Sequence, residues 1–176
     1  MENNTKNTIS YPFLPPGKKI EYVGIDDPYM LHAKEVARKS TDHAMPTGAV
    51  ITCDGIIIAE ASNKAALTNP TLIKLHKKYC IRRMCNIPTG KKYWACPGCA
   101  SHENHGEYRA VLMALKKLPK EYDELDLYLW GHWWCCEPCW NKMFSIGIKR
   151  VFLLEKSEIL FNNKEPGNII GKQLTQ

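Results

Sequence analysis

Three side chains suited to a borderline-soft metal stand at ligand spacing in this chain: His105, and about thirty residues later the pair Cys136-x-x-Cys139. An imidazole and two thiolates fit zinc and leave a fourth tetrahedral position for water, the arrangement that metal-assisted hydrolysis needs. Glu107, two residues beyond His105, is free to move protons beside such a metal. A second group, Cys80, Cys85, Cys96 and Cys99, has enough thiols to close a structural zinc site around itself, with His76 or His102 able to replace one of them.

Other accounts of the same residues stand beside these. Asn104 and Glu107 have the spacing of a helix capping box. The two C-x-x-C pairs have the form of a zinc ribbon, but 36 residues separate Cys99 from Cys136, where ~15–20 are usual, and His105 is left idle. The Cys80 group reads equally as buried free thiols. Cys135 is either an extra ligand or a small turn residue, and His132 reads as a hydrogen-bonded turn residue.

The elements that must position these groups follow from local signals. The apolar period predicts a helix over 105–118, with Val111, Leu112, Leu115 and Leu118 on one stripe, and a second helix over 137–146 that starts inside the cysteine pair. Asp54-Gly55 joins the apolar runs 49–53 and 56–59, and both residues tolerate positive φ, which predicts a hairpin. Neither run alternates with charged residues, so both strands are expected to be covered on two faces. Further strands are predicted over 125–130 and 150–154, with a short one near 19–23. A helix from Asp27 is predicted by that capping residue, by Pro28 at the first position, and by Met30, Ala33 and Ala37 on one face. The order β-β-α-β-α-β implies an α/β fold, a mixed sheet of about five strands between helical layers.

A length of 176 residues, 44% of them hydrophobic and 24% charged, suits one globular domain. Residues 1–27 read as an N-terminal arm, 28–156 as the domain and 157–176 as a C-terminal extension. Within the domain, residues 64–102 carry eight lysines and arginines and no acidic residue, more than the whole chain's net charge of +6, so the rest is slightly acidic and the insertion invites an anionic partner. No signal peptide or run of ~18 apolar residues is present, which places the chain in the cytoplasm with no membrane partner. Eight cysteines in that compartment read as metal thiolates rather than disulfides.

His105-Gly106-Glu107 followed by Cys136-Glu137-Pro138-Cys139 resembles the cytidine and deoxycytidylate deaminase superfamily, with Cys135 in place of the usual proline. Thr47-Gly48-Ala49-Val50-Ile51 and Gly147-Ile148-Lys149-Arg150-Val151 extend the match. Cys80-Ile81-Arg82-Arg83, Asn86-Ile87-Pro88-Thr89-Gly90 and Cys96 resemble the insertion of the dCMP deaminase branch. The resemblance implies a three-layer α/β/α fold, zinc on His105, Cys136 and Cys139, proton transfer by Glu107, and a cytosine nucleotide, dCMP foremost, converted to the uracil nucleotide with release of ammonia. It also implies a homo-oligomer and a sugar contact from Asn63. The glycine and proline that usually follow that asparagine are absent, so Lys64, Arg82 and Arg83 become the candidates for phosphate and Trp134 one for stacking on the base. Gly106 replaces the family's alanine, which leaves space near the metal. The same chemistry on a base within single-stranded RNA or DNA is a second reading, given the basic insertion and the tryptophans. A zinc-stabilised nucleic-acid-binding module without catalysis is a third.

Overall fold

The computed structural model describes residues 9–175; residues 1–8 of the arm and residue 176 lie outside it. Strand β1 (Ile20–Val23) precedes helix α1 (Pro28–Ala37), the hairpin β2 (Gly48–Cys53) and β3 (Ile56–Ser62), and the insertion helices α2 (Pro70–Lys78) and α3 (Ile81–Met84). Helix α4 (Gly106–Ala114), β4 (Leu125–Trp130), α5 (Glu137–Phe144), β5 (Arg150–Leu154) and α6 (Ser157–Leu160) complete the order. The sheet runs β1-β5-β4-β2-β3: β4 lies parallel to β5 and β5 to β1, while β2 is antiparallel to both β4 and β3. Among the described residues no helix is long and apolar enough to cross a membrane.

Period-two alternation sorts the strands into two cores. Ala49 and Ile51 of β2, Leu127 and Leu129 of β4 and Leu153 of β5 face α4 and α5, whereas Val50, Tyr128 and Trp130 face α1. Each fully buried Ile or Leu contributes roughly 1.5–3 kcal/mol of transfer free energy, so the sheet rather than any one helix carries the stability. Asp27 caps α1 as its side chain accepts from the backbone N–H groups of Tyr29 and Met30 at 3.0 and 2.8 Å. Helix α1 then packs backbone to backbone on β2: a Cβ at Gly48 would stand 2.0 Å from the carbonyl oxygen of Ala33.

Two expectations change here. All of β2 is buried, but β3 is the sheet edge, with Ile56 70% exposed, so only the inner strand of the hairpin is covered on both faces. Helix α4 ends at Ala114, and its buried face is Ala110, Val111 and Ala114; Leu112 and Leu115 face outward. Small residues lie against the sheet because the helix sits too close for leucines. Its guanidinium Arg109 donates to the carbonyl of Ser62 on β3 and holds that approach.

Candidate active site

Helices α4 and α5 begin side by side at their N-termini, and their N-cap residues are His105 and Cys136. Neither side chain caps its own helix; both turn toward each other. His105 Nδ1 lies 3.5 Å from Cys136 Sγ and 3.5 Å from Cys139 Sγ, and the three ligand atoms all fall within 4.8 Å of one another. Zinc bond lengths of ~2.3 Å to sulfur and ~2.05 Å to nitrogen predict a tetrahedral N···S edge of ~3.5 Å, so the donor set fits zinc. Asn104 lies in a 3-10 turn and makes no capping bond, so the capping-box account does not hold.

The electrostatics favour thiolate at one of the cysteines. The Cys139 thiol donates to Cys136 and, against the cost of burial, brings it down to about 5, with His105 adding to the effect. Cys139 is pushed up by the same contact and by burial. Cys135 is fully buried and outside the cluster; burial pushes its thiol well up, and it donates to Glu107. Glu107, on the first turn of α4, is buried and lines a cavity of about 140 Å³ together with His105 and Cys136.

Thr47, Asn63 and Lys64 form one wall of this cavity, Thr89 and Tyr93 another, and His132 and Trp134 a third. Asn63 Oδ1 accepts from Ser40 Oγ at 2.6 Å and from the Thr47 N–H at 2.9 Å, while Nδ2 donates to the Met45 carbonyl. The side chain therefore braces the loop 40–47 and keeps one N–H to offer. Trp134 seats on Gly90, where a Cβ would stand 2.9 Å from the indole ring.

Arg82 and Arg83 turn to the insertion's own backbone rather than into this cavity. Buried Arg82 donates to the carbonyls of Lys91 and Pro88 at 3.0 and 2.9 Å, and its guanidinium lies 4.4 Å from the Tyr93 ring centre. Arg83 donates to the carbonyls of His76 and Lys77. In the second ligand group His76, one of the two replacements the sequence offered, stands in for Cys85: His76, Cys80, Cys96 and Cys99 gather within 4.8 Å, and Cys85 stays outside them. The last turn of α2 brings His76 Nε2 to 3.5 Å from Cys99 Sγ, while Cys85 caps the C-terminus of α3 and is exposed. Gly106 serves close packing, because a Cβ there would meet the Ala61 carbonyl at 3.2 Å.

Tyr93 went unnoticed in the sequence, and His132, read there as a hydrogen-bonded turn residue, lines the wall as well. Tyr93 stands edge-on to His105, ring centres 5.3 Å apart, and burial pushes its phenol up so that it stays neutral. His132 is packed into the cavity wall, where burial and the neighbouring His105 hold its imidazole down to about 4. Its Nδ1 accepts the Trp134 backbone N–H at 3.4 Å, which leaves the proton on Nε2 as a donor. Its place four residues before Cys136 was the available signal; Tyr93 gave none.

A family described as the cytidine and deoxycytidylate deaminase zinc-binding region matches residues 24–155. No curated protein matches. Similar solved structures include one from a study of A-to-I editing by tRNA:A34 deaminases at the wobble position, at 22% identity over 72% of this chain and 75% of that one, with a TM-score of 0.41. A second is the diaminohydroxyphosphoribosylaminopyrimidine deaminase/5-amino-6-(5-phosphoribosylamino)uracil reductase of Thermotoga maritima, at 22% identity over 71% of this chain but 28% of that one, TM-score 0.41. A third is the guanine deaminase of Bacillus subtilis, at 22% identity over 73% of this chain and 64% of that one, TM-score 0.40.

Proposed function

Because the chain belongs to the zinc-binding cytidine and deoxycytidylate deaminase family, we propose that it is a hydrolytic deaminase of a cytosine nucleotide, with dCMP the leading substrate. The observation that carries this reading is the tetrahedral-edge spacing of His105, Cys136 and Cys139 at the floor of a cavity that also holds a buried, uncapping carboxylate, Glu107. Those three residues would hold zinc, which when bound lowers the pKa of a water molecule and polarises it for attack. Glu107 would accept a proton from the attacking water and pass it to ring N3 as the C4–O bond forms, then carry the new hydroxyl's proton to the amine, so that the C4–N bond breaks, the C4 carbonyl forms and ammonia leaves. The N-termini of α4 and α5 add partial positive charge at the same point.

The walls support a pyrimidine that carries a carbonyl. His132 Nε2 is a fixed donor with no partner among the described residues, suited to the O2 of cytosine, and the free N–H of Asn63 faces the same space. Trp134 and Tyr93 offer flat surfaces for the ring. Lys64 at the edge is the remaining candidate for the phosphate, since Arg82 and Arg83 are committed to backbone carbonyls. Leu112, Met113 and Leu115 expose an apolar face of α4, which supports a homo-oligomer, to be read from light scattering.

One observation favours a second reading, a base within single-stranded nucleic acid. The catalytic cavity shares His105 and Tyr93 with a groove of about 580 Å³ that includes Lys77, and His132 and Trp134 with one of about 930 Å³ that includes Arg83 and Lys164. A path open on both sides suits a continuing strand. Ammonia release from dCMP, CMP, cytidine and a single-cytosine oligonucleotide, each with zinc-loaded protein, separates the readings. Turnover of dCMP with none of the oligonucleotide supports the first, and the reverse supports the second.

A further inference from the structure

We infer that His76, Cys80, Cys96 and Cys99 form a second, closed metal site of the zinc-binding kind, and that its ion sets the insertion wall of the catalytic cavity. Cys80 Sγ stands 3.6 Å from Cys99 Sγ, and Cys99 Sγ 3.5 Å from His76 Nε2. Tetrahedral zinc predicts edges of ~3.8 Å between sulfurs and ~3.5 Å between sulfur and nitrogen. Four protein ligands complete that geometry and leave no position for substrate, so the site holds structure rather than performing chemistry.

Three further features point to an ion rather than to packed free thiols. Backbone N–H groups of Gly98, Ile81 and Arg82 point at Cys96 Sγ, and those of Arg83 and Arg82 at Cys80 Sγ, as thiolates require. The imidazole of His76 occupies the space of an absent side chain: a Cβ at Gly98 would stand 2.3 Å from the ring. Three thiolates around one divalent cation also leave a net charge of −1, and the Arg82 guanidinium sits against Cys99 to balance it.

Arg82 links this site to the catalytic one. It follows the ligand Cys80 by two residues, ties down the carbonyls of Lys91 and Pro88, and stacks on Tyr93, whose edge meets His105. Removing the ion releases Cys80 and with it the support of Tyr93.

Metal analysis by mass spectrometry tests the assignment, whatever substrate the catalytic cavity takes. Two ions per chain are expected in the wild type and in Cys85→Ser, and one in His105→Ala, in which cobalt substitution should give the intense sulfur charge-transfer bands of a tetrahedral thiolate site. A single ion in the wild type, none in His105→Ala, or loss of one in Cys85→Ser would overturn it. Gly98→Ala and His76→Ala should each retain one ion and lose at least tenfold in kcat/KM. One retained ion with unchanged kcat/KM would overturn the link to the cavity wall, and His105→Ala decides the site itself even if those variants do not fold.

Discussion

Replacing His132 by phenylalanine keeps a flat ring of similar size in the cavity wall and removes both nitrogens. In the wild type Nδ1 accepts from the Trp134 backbone at 3.4 Å, so Nε2 carries the proton and has no other partner among the described residues. A substrate carbonyl that loses this donor in an enclosed cavity forfeits about 1–3 kcal/mol, because the bond is lost and water has little room to replace it. At 1.4 kcal/mol per tenfold, kcat/KM should fall between about 5-fold and 150-fold. Glutamine places its amide near the Nε2 position, so His132→Gln should recover most of that loss. The Phe variant also strands the Trp134 N–H, so a modest fall in melting temperature should accompany it. Steady-state ammonia release at pH 7 with both variants, metal content checked, is the assay. A Phe variant within twofold of wild type, or a Gln variant worse than Phe, would refute base recognition by His132.

Three further outcomes follow from the same geometry. The His132 imidazole is held down to about 4 by burial, so as pH falls below the ordinary 6.5 the unfolded chain takes up a proton that the folded chain refuses; between pH 6.5 and 5 stability should drop by about 2 kcal/mol, and His132→Gln should flatten that slope in urea titrations at the two pH values. Gly131 has φ +87° and a Cβ there would stand 2.2 Å from the Pro46 carbonyl, so Gly131→Ala should cost about 2–4 kcal/mol, lower the melting temperature by roughly 5–15 °C and displace Thr47 at the cavity edge; an unchanged calorimetric transition would contradict this. Cys135→Ala should leave the metal content unchanged, because Cys136 and not Cys135 faces His105; loss of one ion would reverse that assignment.

Where residues spoke through local chemistry, the sequence was legible. Asp27 and Pro28 marked the start of α1, Asp54-Gly55 marked a turn whose residues have φ of 48° and 77°, and His105, Cys136 and Cys139 meet because both helices begin at them. What depended on packing was hidden. Leu112 and Leu115 share a helical period with Val111, but only the tertiary approach of α4 to β3 decides that alanines lie inside and leucines outside. The sequence left open whether His76 or His102 replaces one of the four cysteines, and the missing information was the path of α2, which carries His76 into the space left by Gly98. The arginines of the insertion read as free charge because nothing in their spacing shows that Lys91 and Pro88 present carbonyls to Arg82. Tyr93 has no sequence signal at all, since its role comes from a ring placed against His105 across the fold.

The proposal of hydrolytic deamination rests on Glu107, which lies beside the ligand cluster, forms no capping bond, and takes its S–H contact from Cys135. Its most direct test is ammonia release from dCMP by zinc-loaded wild type and Glu107→Gln, with metal counted in both. A fall of about 10²–10⁴-fold at unchanged metal content is the predicted result, the range that a lost proton-transfer group gives. Turnover in the variant within tenfold of wild type would contradict the mechanism, and a lost metal ion would show that Glu107 is a ligand instead.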